Sequence, residues 1–152
     1  MKEKRGYFGI GIQNCKTEEN VGTLWRSAYI LGASFIFTIG KRYKKQASDT
    51  PKSWRNIPLY NYETFEEFYK TMPYDCRLIG IELTDKSTPV AEFQHPERCI
   101  YLLGAEDSGL SNEAINKCHE LVILPGDICL NVSVAGSILL YDRIAKSKLS
   151  YA

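Results

Sequence analysis

The sequence lacks the markers of several large protein classes. No apolar run approaches the roughly 20 residues of a membrane span, and the opening Met1-Lys2-Glu3-Lys4-Arg5 has no apolar signal core behind it. A cytoplasmic location is therefore the expectation. The five cysteines, Cys15, Cys76, Cys99, Cys118 and Cys129, are an odd number without C-x-x-C spacing, and only His95 and His119 accompany them. That argues against a disulfide framework and against a zinc site, and leaves small semi-buried thiols in a reducing compartment. Gly9 and Gly11 begin a G-x-G, but Asn14 stands where a third glycine would complete a dinucleotide fingerprint, and no acid marks the end of the second expected strand. A phosphate-cradling G-x-x-x-x-G-K, internal repeats and low-complexity linkers are missing too.

What is present is an ordinary globular composition, 152 residues with 44% hydrophobic and 24% charged content, enough for one domain with its own core. Apolar strands are expected at Tyr7 to Ile12, Ser34 to Ile39, Arg77 to Ile81, Cys99 to Leu103 and Glu120 to Leu124. Helices are expected at Asn20 to Leu31, Thr64 to Lys70, Asn112 to Cys118 and Val132 to Lys148. In the first helix Val21, Leu24, Trp25 and Ala28 fall at i, i+3, i+4 and i+7, one buried stripe, with Asn20 as the expected N-cap. Strands that are apolar throughout, alternating with helices, predict an α/β domain around a mostly parallel sheet covered on both faces.

Charge and glycine mark the candidate functional segments. Lys41, Arg42, Lys44, Lys45, Lys52 and Arg55 face only Asp49 in fifteen residues, a local +5 in a chain of net charge +1. With Tyr43 and Trp54 interleaved, this stretch has the makeup of a surface that contacts phosphate and stacks bases, or of a solvated loop. Three other segments combine Gly or Asn with strand ends or helix starts. In Asn20-Val-Gly-Thr-Leu-Trp-Arg26, Gly22 and Arg26 share a face turned away from the apolar stripe, so the guanidinium is unshaded. In Leu102-Leu-Gly-Ala-Glu-Asp-Ser-Gly-Leu110, Gly104 permits a ligand to approach the backbone and Glu106 lies just beyond; an ordinary βα turn is the alternative. In Ile123 to Tyr141 a strand end, a Pro-Gly-Asp turn and Leu130-Asn131-Val132-Ser133 lead into a helix whose first N–H groups lack intrahelical partners. On that helix Val134, Ile138 and Tyr141, with Ala135 and Gly136, can serve either the core or a dimer.

These motifs, N-x-G-x-x-x-R, L-L-G-x-E-x-x-G-L and I-L-P…L-N-V-S-V-A…L-Y-D, resemble in order and spacing those of the SpoU/TrmH family of RNA ribose methyltransferases, in the SPOUT superfamily. The resemblance implies a single SPOUT methyltransferase domain over residues 1–152, without an appended RNA-binding domain, a C-terminal deep trefoil knot and a homodimer. It implies S-adenosyl-L-methionine as cofactor, held by Leu83, Gly104, Leu124, Cys129, Leu130, Asn131 and Ser133, and no metal. Cys129 stands where many members have serine, which replaces a good hydrogen-bonding hydroxyl by a weak thiol.

The implied reaction is methyl transfer to a ribose 2′-hydroxyl, of tRNA rather than rRNA, with Arg26, Asn20 and Glu106 as catalytic residues. A guanidinium is a poor resting base, so Arg26 is expected to stabilise a developing alkoxide or to orient an RNA phosphate. The basic residues from Lys41 to Arg55 are the expected RNA contacts. The alternatives are an rRNA 2′-O-methyltransferase and a catalytically weak RNA-binding module.

Overall fold

In the computed structural model, which describes residues 6–40, 56–126 and 130–149, strands and helices alternate along the chain. In order they are β1 (Tyr7–Gln13), α1 (Glu18–Ile30), β2 (Phe35–Ile39), β3 (Leu59–Tyr62), α2 (Phe65–Thr71), β4 (Arg77–Ile81), β5 (Thr88–Pro89), β6 (Arg98–Gly104), α3 (Asn112–Lys117), β7 (Glu120–Ile123) and α4 (Val132–Leu149). Among the described residues the strands form one seven-stranded sheet, ordered β3-β2-β1-β6-β4-β7-β5. Every pairing is parallel.

Parallel strands need crossovers that cover the sheet, and here each face has two helices. Val21, Leu24 and Ala28 of α1, with Val132, Ala135, Leu139 and Leu140 of α4, pack against Ile10, Ile12, Tyr101 and Leu103. On the other face Phe65 and Phe68 of α2 and Ala114 of α3 pack against Phe37, Ile39, Leu78, Ile100 and Leu102. Phe37 stacks on Phe68 with ring centroids 4.4 Å apart and planes 8° from parallel. The two glycines of the G-x-G belong to this second face. Gly9 pairs with Phe35 and Gly11 with Phe37, and a Cβ on either glycine would lie within 2.5 Å of that ring. Their task is to admit aromatic rings from β2.

Two expectations are corrected. The first helix is capped by Thr17, whose side chain accepts from the Asn20 N–H; Asn20 lies inside the helix. Glu18 and Glu19 occupy the first turn, where the helix dipole favours acids. Two strands were not expected, β3 and β5. β3 is an edge strand with Tyr60 and Asn61 exposed, and β5 is two residues long and ends at Pro89. The basic stretch from Lys41 to Arg55 lies outside the described residues.

Candidate functional site

Three loops meet at the carboxyl ends of β4, β6 and β7, the edge of an open parallel sheet where ligands bind. They enclose a cavity of about 390 Å³, within the range of small-molecule sites. The loop after β6 turns back on itself: the Gly109 N–H donates to the Ala105 carbonyl at 2.8 Å, and a Cβ on Gly104 would meet the Gly109 carbonyl carbon at 2.2 Å. Only glycine allows that backbone-on-backbone approach. The turned loop is then tied to its neighbours by two carboxylates. Glu82, directly after β4, accepts from the Leu110 N–H at 2.7 Å and from the Leu83 N–H at 3.1 Å. Glu106 accepts from the Val132 N–H at 3.3 Å, at the first turn of α4.

The start of α4 is built by Asn131. Its Oδ1 accepts from the Ser133 hydroxyl at 2.6 Å and the Ser133 N–H at 3.0 Å, an N-cap, while its Nδ2 donates to Asn20 Oδ1 at 3.1 Å. The first turn of α1 is thereby joined to the cavity's rim. Further along, Ser137 donates to the Ser27 hydroxyl at 2.8 Å, and a Cβ on Gly136 would press on Leu24 at 2.6 Å, so α1 and α4 run in close contact.

A larger cleft, about 690 Å³, opens at the opposite end of the sheet, between the start of β1, the end of α1, residues 91–97 and the second half of α4. Its His95, Arg143 and Lys146 hold other side chains or the backbone. His95 Nε2 lies 2.6 Å from Asp142 Oδ2 and its Nδ1 lies 2.7 Å from the Tyr101 hydroxyl. Lys146 pairs with the same Asp142 at 2.8 Å, and Arg143 donates to the Pro96 and Glu97 carbonyls and to Tyr101. Size alone favours this cleft. Position at the strand carboxyl ends and a glycine-thinned wall favour the smaller one.

The profile of the SpoU rRNA methylase family matches residues 8–141. The chain belongs to the SpoU family. It is 26% identical over 147 residues to the mouse tRNA (guanosine(18)-2′-O)-methyltransferase TARBP1, covering 88% of this chain and 9% of that protein. It is 22% identical over 139 residues to the tRNA (guanosine(18)-2′-O)-methyltransferase of Escherichia coli K12, covering 88% of this chain and 61% of the relative. The crystal structure of an AdoMet-bound rRNA methyltransferase from Sinorhizobium meliloti superposes with a TM-score of 0.80 at 21% identity, covering 96% of this chain and 59% of that one. The chain thus spans less than two thirds of each of these three proteins.

The SpoU motifs expected to form the site converge only in part. Leu83, Gly104, Leu124, Leu130 and Glu106 line the cavity. Asn131 and Ser133 lie beside it, engaged in the α4 cap, and Asn20 is bound to Asn131. Cys129 lies outside the described residues. Arg26 is exposed on α1 and does not line the cavity of its own chain; an added Cβ at Gly22 would meet nothing within 4 Å, so this face is open. Glu82 was missed in the sequence. Its signal was an acid directly after an apolar strand, but its partner Leu110 is 28 residues away.

Among the described residues, no group of three or more His, Cys, Asp or Glu could hold a metal, and no helix is long and apolar enough to cross a membrane. The described cysteines are free thiols, with Cys15, Cys76 and Cys99 buried.

Proposed function

We propose that this chain is an S-adenosyl-L-methionine-dependent RNA methyltransferase that modifies a ribose 2′-hydroxyl of tRNA, a single catalytic domain acting as a homodimer in the cytoplasm. The observation that carries this reading is the cavity at the carboxyl ends of β4, β6 and β7, built from the SpoU motif loops. The cavity fits the cofactor chemically: Leu83, Leu103, Leu124 and Leu130 offer an apolar slot for a nucleobase, loop backbone in its wall offers polar groups, and Glu82 and Glu106 suit a cation. When bound there, the cofactor supplies a methyl group from its sulfonium to the hydroxyl oxygen, leaving a neutral thioether as the hydroxyl proton departs.

The chain's own residues prepare that step. Gly104 lets the ligand lie against backbone, and Glu82 and Glu106 hold the loop that carries it. Asn20 and Asn131 fix the rim where RNA would enter. Arg26 shares α1 with exposed Tyr29 and Ile30, and α4, which contacts α1 through Ser137 and Ser27, carries a stripe of Val134, Ile138 and Tyr141, these five apolar residues all more than a third exposed. In the homodimer these apolar residues meet a second copy, and Arg26 is carried toward the partner's cavity, where it stabilises the developing alkoxide or orients a phosphate. β2 ends at Ile39 on the same edge of the parallel sheet as the cavity, and the basic residues Lys41 to Arg55 follow it in the chain, which supports their role in gripping RNA.

We also read the C-terminal segment as knotted. β7 lies between β4 and β5, although β5 follows β4 in the chain, so the connection between those two strands spans the place that β7 fills. Threading α4 through that connection is the topology that the family resemblance implies. Truncation after Ile123 would then remove the knot and cofactor binding together.

Incubating the protein with labelled S-adenosyl-L-methionine and total tRNA or rRNA, followed by mapping of alkali-resistant positions, tests the reading. Label at a 2′-O-methyl position in tRNA is expected; label on bases only, or none, overturns it. Arg26→Ala should lower turnover by about 100-fold or more while changing cofactor affinity less than about threefold.

A further inference from the structure

The wall of the candidate cavity is acidic as well as apolar. Among its described residues are Glu82, Glu106 and Asp107, and no lysine, arginine or histidine. Asp107 is paired with Lys16 at 2.9 Å. Glu82 is held differently: both carboxylate oxygens accept from backbone N–H groups, of Leu110 and Leu83, which fix its direction and carry no net charge. Gly109 packs against the same carboxylate, since a Cβ there would lie 2.5 Å from Glu82 Oε2. The side chain is therefore fixed at the end of β4 with its negative charge uncompensated by these partners.

We propose that Glu82 makes the cavity selective for the charge of its ligand, favouring the sulfonium donor over the neutral thioether product. The inference rests on the cofactor reading above. Methyl transfer leaves the electron pair of the broken bond on sulfur, so the ligand loses one positive charge and one methyl and keeps the rest of its shape. A fixed carboxylate acts on that difference. Across a cavity of this size, partly screened at its mouth, one such charge changes relative affinity on the order of five- to tenfold. Glu82 is thus a specificity residue that retains donor and releases product.

Calorimetric titration of the full chain with S-adenosyl-L-methionine, S-adenosyl-L-homocysteine and sinefungin, whose protonated amine stands in for the sulfonium, provides the test. At low salt the wild type should bind the two cations five- to tenfold more tightly than the neutral product, and the ratio should fall toward one as salt rises. Glu82→Gln, equal in size, should bring the ratio to about twofold or less, mainly by weakening the cations. Equal or tighter binding of S-adenosyl-L-homocysteine by the wild type, or an unchanged ratio in Glu82→Gln, overturns the proposal. If Glu82→Gln does not fold, the wild-type salt series decides: a ratio independent of salt overturns it. Loss of binding for all three ligands in the folded wild type is a different result, and overturns the cofactor reading itself.

Discussion

The two ends of the sheet treat charge in opposite ways. At the carboxyl end, Glu82 and Glu106 accept from backbone amides of Leu110, Leu83 and Val132, so the loops are fixed by partners that carry no opposite charge. At the amino end, Asp142 is bound by His95 and Lys146, and Arg143 reaches Pro96, Glu97 and Tyr101, joining α4 to β6 and to the loop before it. Buried polar groups are costly unless satisfied, so a satisfied network stabilises one arrangement of the chain and offers little to a ligand. The larger cleft is accordingly the structural end. The smaller cavity, where backbone is bared by glycine and charge is left over, is the end proposed to bind. Changes at one end should therefore act on stability and at the other on binding.

Arg143→Ala should break the structural end with the largest effect. It removes a buried cation that lies over the Phe8 ring at 4.4 Å and strips donors from two carbonyls and Tyr101. A loss of about 3–5 kcal/mol in unfolding free energy is expected from denaturant titration, and cofactor affinity, measured where the variant is still folded, should change less than about twofold. Equal losses in both readouts would erase the distinction between the ends. Gly104→Val is the reciprocal change. Its side chain would collide with the Gly109 and Leu110 backbone, so the turned loop must open, and cofactor affinity should fall by about 100-fold or more. Normal binding by Gly104→Val would mean that the ligand does not use this wall.

What could be read from the sequence divides along another line, between local patterns and long-range contacts. The parallel sheet was legible because Ile10, Ile36, Ile79 and Ile100 belong to strands buried on both faces and therefore apolar throughout. β3 was not, since Leu59-Tyr-Asn-Tyr62 at the sheet edge is half polar, and β5 is too short to leave a pattern. Helix α1 was legible from Val21 onward, but its polar first turn from Glu18 hid the Thr17 cap. Gly104, Leu124, Leu130 and Glu106 could be named because the motifs are contiguous, and Leu83 because the family resemblance implies it. Glu82, and the contact between Asn20 and Asn131 across 111 residues, could not, because each depends on a partner that only the fold brings near. Val134, Ile138 and Tyr141 were ambiguous on the sequence; the structure turns them outward while Ala135, Leu139 and Leu140 face the core.

Asn131 lies at the junction of cap and rim, and its replacement should give a moderate effect on both readouts. Asn131→Ala removes the acceptor for Ser133 and the donor to Asn20. Loss of an N-cap costs about 1 kcal/mol, and the loosened rim should weaken RNA binding more than cofactor binding. Asn131→Asp keeps the cap and loses the donation to Asn20. It should therefore recover the stability but not the RNA affinity; recovery of both would assign Asn131 to the helix alone.

The smallest expected effect is the pH response of the structural end, and its sign follows from His95. Burial is the main cause that lowers the pKa of His95 below its ordinary value near 6.5, against the opposing hydrogen bond and charge of Asp142. Arg143 and Lys146 on α4 add to the lowering. The neutral ring fits its neighbours: Nε2–H donates to Asp142, and Nδ1 accepts from Tyr101, whose oxygen in turn accepts from Arg143. Burial also holds the Tyr101 phenol well above its usual range, so it remains a donor at any working pH. Because the folded pKa is depressed, the contribution of His95 is fully present above about pH 6.5 and is lost as pH falls from there toward the folded value. The slope cannot exceed about 1.4 kcal/mol per pH unit for this single group. Unfolding free energies of wild type and His95→Gln measured between pH 8 and pH 5 should therefore converge as the solution is acidified. Parallel curves would show that His95 does not carry the acid sensitivity of this end, and a gap that widens on acidification would reverse the sign of its shift.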